Sequence, residues 1–244
     1  MTTKASEGEL QFPGEIKRGD NGAAVKRVQE WLCLHEVHVG IDNGFGPATE
    51  TAAKQFQSEN GLPSTGVVNQ PTFDALVQPM RNALQDVQPD GKSLGELVVA
   101  YARQHLAQRP MEEGGDNRGP WVRLYMDGED GVDEKWCAGF ATFILNQACA
   151  TLNQKPPVRR AFACDRIADD ADDKGILKKR PSKPGDLFLV LRSNGTHAHI
   201  GIVTGVGQEA FQTIEGNTND DGSANGFEVA ARTRGYDAKQ FVVI

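Results

Sequence analysis

Gly185-Asp186-Leu187-Phe188-Leu189-Val190-Leu191, then Ser193-Asn194-Gly195, then His197-Ala198-His199-Ile200-Gly201-Ile202-Val203 is the stretch where the sequence changes its code. Two apolar runs of strand length flank a turn tripeptide, which reads as an antiparallel pair. Further strands are expected at Ala210 to Glu215, Phe227 to Thr233 and Phe241 to Ile244, separated by Gly/Asn/Asp turns. The chain before this point reads as helices and loops. Helices first and an antiparallel sheet afterwards predict an α+β fold class, with a small three-helix N-terminal module ahead of an α+β domain.

Upstream of the strands, Lys135-Trp136-Cys137-Ala138-Gly139-Phe140 continues through Leu145 as a loop turning into an apolar helix, with a cysteine at the junction. A helix start offers unpaired N–H groups and the positive end of the macrodipole, which favour a thiolate and can hold an oxyanion. Cys137 is therefore the candidate nucleophile; a small buried hydrophobe is the bland alternative. Phe140, Phe143, Ile144 and Ala148 give the helix a side to bury. Two residues apart on a strand, His197 and His199 are expected on one face, where one serves as proton shuttle. A metal reading of His-x-His lacks a second histidine pair. Glu215 and Asn217 also share a strand face, and either side chain would orient an imidazole.

The segment before this domain reads differently. Asp20 or Asn21 is expected to cap a helix with Val25, Val28 and Leu32 inward; Asn43-Gly44 turns; Pro47 opens a second helix carrying Ala52, Ala53 and Phe56 and ending at Asn60-Gly61. Pro71 then opens a short third helix with Phe73, Leu76 and Val77 inward. Gln78-Pro79 and Gln88-Pro89-Asp90-Gly91 bracket a polar join, and Ser93 with Glu96 forms a capping box for the next helix. The expected limits are 16–79 for the helical module, 80–92 for the linker and 93–244 for the second domain. Glu113 to Val122 is read as a surface loop, without the spacing of a phosphate loop. The run Asp169-Asp170-Ala171-Asp172-Asp173-Lys174 is read as a solvated helix face, lacking the glycine and distal glutamate of a calcium loop.

The formal net charge of −7 and the absence of a long basic run argue against nucleic acid or anionic lipid as partner. No apolar run has membrane-spanning length and the start has no signal-peptide core, so synthesis in the cytoplasm without a signal peptide and no membrane insertion are expected. Four widely spaced cysteines, Cys33, Cys137, Cys149 and Cys164, exclude a zinc knuckle. Apart from Cys137 they are read as packing residues, a Cys149–Cys164 bond being left open.

Ile16 to Val77 resembles a three-helix peptidoglycan-binding repeat, through Arg18-Gly19-Asp20-Asn21-Gly22, Val28-Gln29, Asp42-Asn43-Gly44-Phe45-Gly46-Pro47, Phe56-Gln57 and Gly61-Leu62. The resemblance implies that wall peptides lie near Asp42 and Phe45; Trp136 is added as a substrate-binding candidate beside the nucleophile. From Ser93 onward, Trp-Cys-Ala-Gly-Phe at Cys137, Pro184-Gly185-Asp186, His-Ile-Gly-Ile-Val at His199 and Glu215-Gly216-Asn217 look like a CHAP domain, the cysteine- and histidine-dependent amidohydrolase/peptidase group with a papain-like core. That resemblance implies Cys137 as nucleophile, His199 as base and then acid, and Glu215 as the group orienting His199, with Asn217 as helper or substitute. No cofactor and no metal are expected. Papain-like enzymes often carry a glutamine shortly before the cysteine as oxyanion donor; Val122 to Lys135 has none, which leaves the Cys137 backbone N–H.

The expected function is a peptidoglycan hydrolase cutting an amide, either the N-acetylmuramoyl-L-alanine link or a stem or cross-bridge peptide bond. It would act on the wall, periplasmic or extracellular, as a monomeric phage lysin released with a holin, or as an antibacterial toxin delivered by secretion machinery and countered by an immunity protein. The rivals are a catalytically silent wall-binding or virion structural protein, and a metal-dependent hydrolase using His197 and His199.

Overall fold

A computed structural model describes residues 4–219 and 226–244 of the chain. It combines helices with one antiparallel sheet behind a helical N-terminal module, the α+β class expected. The chain forms two compact units: one runs up to Asn82 and includes Met111–Val132, the other comprises Ala83–Pro110 and Asp133–Ile244.

The first unit contains α1 (Lys4–Leu10), α2 (Ala23–Leu34), α3 (Pro47–Glu59) and α4 (Gln70–Leu76). The three expected helices are α2, α3 and α4, with Val25, Val28, Leu32, Phe56, Phe73 and Leu76 buried as their spacing predicts. Pro47 occupies the start of α3, and Asn69 caps α4 by accepting the Thr72 N–H at 3.1 Å. The cap of α2 differs. Gly22 holds that position without a side-chain bond, because the Asp20 carboxylate is spent on the Lys17 N–H at 2.8 Å.

Two buried glutamines tie the helices of this module to its loops. Gln29 Nε2 donates to Asp42 Oδ1 at 2.8 Å, to the Gly44 carbonyl and to Thr49 Oγ1, while its Oε1 accepts the Asp42 and Asn43 N–H groups. Gln57 Nε2 donates to the Val67 carbonyl at 2.8 Å and to Thr72 Oγ1, and its Oε1 accepts the Gly66 N–H. Buried loop backbone must find such partners.

Sequence reading gave a helix neither to Lys4–Leu10 nor to the glycine-rich stretch, where α7 (Pro120–Tyr125) forms within the first unit. The reason is tertiary: Arg123 on α7 is surrounded by Glu9 at 2.6 Å, Glu30 at 2.7 Å and Asp130 at 2.8 Å. A buried guanidinium persists where carboxylates neutralise it. The intervening α5 (Gln78–Ala83) makes part of the expected linker helical. The contact-defined units thus divide at Asn82 and assign Met111–Val132 to the first, whereas the sequence limits of 16–79, 80–92 and 93–244 place that segment in the second domain.

Among the described residues, the second unit contains α6 (Leu94–Leu106), α8 (Cys137–Thr151), α9 (Cys164–Asp173) and six strands: β1 (Leu177–Lys178), β2 (Leu187–Leu191), β3 (His197–Val206), β4 (Ala210–Thr218), β5 (Glu228–Gly235) and β6 (Lys239–Val242). The strand order is β1-β6-β2-β3-β4-β5, and every pairing is antiparallel. The Ser93–Glu96 capping box opens α6 as expected. Part of the Asn/Asp/Gly turn expected after Asn217 falls on 220–225, outside the described residues.

Asp186 explains why its Pro-Gly-Asp precedes a strand. Its buried carboxylate accepts the N–H groups of Ser182 at 2.6 Å, Lys183 at 3.1 Å and Ile244 at 3.1 Å, holding the entry to β2 beside the C-terminal residue. The acidic run on α9 is not wholly solvated. Asp170 is buried and accepts from Arg159 and Lys174, so the helical period turns one carboxylate of the run inward.

Candidate active site

Cys137 is the first residue of α8, and Trp136 before it makes no side-chain cap. The first bond back into the helix start runs from the Phe140 N–H to the Trp136 carbonyl at 2.8 Å. By helix geometry the N–H groups of Cys137, Ala138 and Gly139 have no intrahelical acceptor. They face the end where a negative charge gains most from the helix dipole.

Close approach of α8 to the sheet depends on glycine. A Cβ added at Gly216 of β4 would lie 2.7 Å from Phe140 Cβ and 2.8 Å from the Trp136 ring. One at Gly201 of β3 would lie 2.6 Å from the Phe188 ring and 2.8 Å from Glu215 Cγ. The glycines following His199 and Glu215 are therefore steric requirements of the site.

On β3, His199 places Nε2 2.8 Å from Glu215 Oε2, and Cys137 lies near enough to its ring to raise its pKa. With Nε2 engaged by the carboxylate, Nδ1 is the ring nitrogen left for sulfur. Glu215 has no exposed surface and is bonded on every side: Thr213 Oγ1 donates to Oε1 at 2.6 Å, Arg234 Nε to Oε1 at 2.8 Å and Arg234 Nη2 to Oε2 at 2.5 Å. Asn217 takes a left-handed backbone, φ 53°, at the β4 irregularity and donates Nδ2 to the Gly226 carbonyl at 2.9 Å. The carboxylate, and not that amide nitrogen, meets the imidazole.

The expectation of one histidine face needs correction. The β2–β3 register shifts between Val190 and Leu191, so Val190 pairs with His199 and Leu191 with His197, breaking the two-residue alternation. His197 Nδ1 lies 2.8 Å from Asp165 Oδ1 and its Nε2 2.7 Å from Gln240 Oε1. The two rings have separate partners. Among the described residues, no group of three or more His, Cys, Asp or Glu is arranged to hold a metal ion.

The substrate-binding expectations also change. Trp136 is 0% exposed and Phe45 is 2% exposed, so neither ring has a face to offer a ligand; each fills a core. Asp42 is exposed, and its Oδ1 accepts from Gln29 and from the Gly44 N–H, which shapes the turn. Beside His199 there is instead a cavity of about 190 Å³, lined by Lys135, Arg192, Asn217, Thr218 and Arg234 among others. A larger cavity of about 340 Å³ around Arg123 in the first unit contains no nucleophile beside a base.

The electrostatics form an alternating chain. Cys137 is held well below the usual thiol range, first by a hydrogen bond from Cys164, against the cost of burial, and then by His199 and the Ile200 N–H. Burial alone would lower the His199 pKa, but its interactions with Cys137 and Glu215 outweigh this and push it up to about 9. Burial would raise Glu215, yet Arg234 and His199 bring it down to about 2. Thiolate, imidazolium, carboxylate and guanidinium thus follow one another, and each charge has an opposite neighbour. Such a set can attack a carbonyl carbon and deliver a proton to the group expelled.

Cys164, Thr213 and Arg234 escaped sequence reasoning. Cys164 Sγ is 3.9 Å from Cys137 Sγ, all four cysteines are free, and the neighbour of Cys164 is Cys137, not Cys149. No spacing rule connects residues 27 apart on two helices. Arg234 reaches Glu215 across the β4–β5 pair, a relation that only strand register creates.

Residues 21–76 match the model of a family described as a putative peptidoglycan binding domain. A zinc D-Ala-D-Ala carboxypeptidase of Streptomyces albus G is 32% identical over 77 residues, which make up 30% of this chain and 30% of that protein. The crystal structure of the SleB N-terminal domain is 32% identical, covering 28% of this chain and 93% of that one with a TM-score of 0.27. The curated relative is thus matched over less than a third of its length. The match falls on α2 to α4, which are thus similar to a peptidoglycan-binding domain.

Proposed function

We propose that the protein is a peptidoglycan hydrolase that cleaves an amide bond with Cys137 as nucleophile. The observation that carries this reading is His199 bonded through Nε2 to the buried Glu215 carboxylate and close enough to Cys137 for each to hold the other in its charged form. The Cys137 thiolate attacks the amide carbonyl carbon, and the resulting oxyanion is received by N–H groups at the start of α8, that of Cys137 foremost. The His199 imidazolium gives its proton to the departing amine, leaving a thioester. His199, now neutral, takes a proton from water as the water attacks the thioester and keeps it as the carboxylic acid leaves, which restores the thiolate–imidazolium pair. Glu215, fixed by Arg234 and Thr213, keeps Nδ1 directed at sulfur and supports the charged ring.

The wall as substrate is supported by the family match of residues 21–76. The relative, named a zinc D-Ala-D-Ala carboxypeptidase, adds to that support over the 30% of its length that is matched. Action at the cell wall follows, either as a phage lysin or as a delivered toxin. Among the described residues, no helix is long and apolar enough to cross a membrane.

Digestion of purified peptidoglycan followed by mass spectrometry of the fragments tests the reading and names the bond. New amino termini or free lactyl groups are expected with the wild type and none with Cys137→Ala, which should still sediment with wall. Equal fragment release by Cys137→Ala would overturn the mechanism; no release by either protein would favour a wall-binding role alone.

A further inference from the structure

We propose that Cys137 and Cys164 together form an oxidative modification site: a peroxide converts the pair to an intramolecular disulfide that masks the nucleophile, and a thiol reductant restores it. The two Sγ atoms are 3.9 Å apart, both thiols are free, and both residues belong to the same compact unit. Each is the first residue of its helix, so the starts of α8 and α9 bring the two cysteines together, one favoured as an anion and the other held as a thiol beside it. A disulfide needs sulfurs about 2.05 Å apart, so closure requires about 2 Å of relative movement by two short side chains. Cys149 lies twelve residues further along α8, a rise of about 18 Å, and Cys33 belongs to the other unit, where its thiol bonds the Val39 carbonyl.

The chemistry divides between the two sulfurs. Cys137, held as thiolate by Cys164, His199 and the Ile200 N–H, attacks one peroxide oxygen. The O–O bond breaks, Cys137 becomes a sulfenic acid, and the other oxygen leaves as water or alcohol with the proton of the His199 imidazolium. Cys164, whose thiol is pushed up by Cys137 and by burial, remains protonated until then. Its sulfur then attacks the sulfenic sulfur; the S–S bond forms, the S–O bond breaks, and hydroxide leaves with the Cys164 proton as water. The Cys137–Cys164 pair is oxidised by two electrons overall, and the peroxide is reduced by two. Without a neighbouring thiol, a sulfenic acid proceeds to sulfinic acid, which thiol reductants do not reverse. At this site Cys164 is thus both the donor that sharpens the nucleophile and the group that traps its oxidised form.

Treatment of the full chain with hydrogen peroxide, followed by intact-mass measurement and non-reducing peptide mapping, reads the bond directly. The wild type is expected to lose two hydrogen atoms in a Cys137–Cys164 link and to regain them, with iodoacetamide reactivity at Cys137, after dithiothreitol. Cys164→Ser is expected to gain two oxygen atoms at Cys137 and stay modified after dithiothreitol. A Cys33→Ser/Cys149→Ser double variant, which keeps the pair, is expected to form the link as the wild type does, and serves if Cys164→Ser does not fold. A wild type that accumulates sulfinic acid at Cys137, or maps its bridge to Cys33 or Cys149, would sink the proposal. The mass readout is independent of hydrolysis: a reversible bridge in a protein that releases no wall fragments supports this site while defeating the enzymatic reading, and fragment release without a bridge does the reverse.

Discussion

Nε2 of His199 lies 2.8 Å from Oε2 of Glu215, and that carboxylate, fully buried, also receives both Nε and Nη2 of Arg234. An isolated buried carboxylate would protonate sooner than bear the cost of desolvation. Two cations and the Thr213 hydroxyl keep Glu215 charged, and it in turn keeps His199 charged. The Cys137 thiolate closes the sequence with no net excess of either sign.

The pH response follows from these shifts. His199 is raised from 6.5 to about 9, so its contribution to stability is full below 6.5 and is lost as pH rises through about 9. Glu215 is lowered from 4.5 to about 2, so its contribution is present above 4.5 and lost as pH falls through about 2. Hydrolysis is expected to hold a plateau across neutral pH and to fall with an alkaline limb near 9, where the leaving amine loses its proton donor. A pH–rate profile on soluble muropeptides checks this; an alkaline limb at 6.5 would contradict the ion pair.

Glu215→Gln preserves shape and removes charge. The alkaline limb should move from about 9 toward 6.5, and kcat/KM should fall by about 10²-fold or more. Arg234 would lose its carboxylate partner, at a cost of about 1–3 kcal/mol. Rate profiles and thermal melts of the two proteins, compared side by side, separate the catalytic loss from the structural one.

Gly216→Ala introduces a methyl group within 2.8 Å of both Phe140 and Trp136. Forcing α8 off β4 should cost about 1–3 kcal/mol and displace Cys137 from His199. The expected signature is a lower Tm together with slower alkylation of Cys137 at neutral pH. An unchanged alkylation rate would mean that the helix does not depend on this contact to present its sulfur.

Gln29→Leu removes the hub of the first module. The Asp42 and Asn43 N–H groups would lose their acceptor and the Gly44 carbonyl a donor, at about 1–3 kcal/mol for each group left buried and unpaired. Denaturant unfolding should show this destabilisation. Wall sedimentation should weaken only where the module begins to melt; full binding with an unchanged melt would refute the role given to Gln29.

Local sequence determined the elements whose causes are local. The Ser93–Glu96 box, the caps at Asn69 and Asn60-Gly61, the helical stripe Val25, Val28, Leu32 and the strand pair Leu187–Leu191 with His197–Val203 follow from spacing and turn chemistry. The same patterns gave Cys137 its helix start and put His199 and Glu215 on strands. Tertiary structure decided what depends on partners distant in the chain. A register shift separated His197 from His199, Arg234 crossed from β5 to hold Glu215, and Cys164 met Cys137 at the junction of two helix starts. Burial turned Phe45 and Trp136 into core residues, and Arg123 gave the glycine-rich stretch a helix by gathering Glu9, Glu30 and Asp130. Periodicity records which face of an element is apolar; which side chains from separate elements meet there is fixed only when packing and strand register bring them within reach.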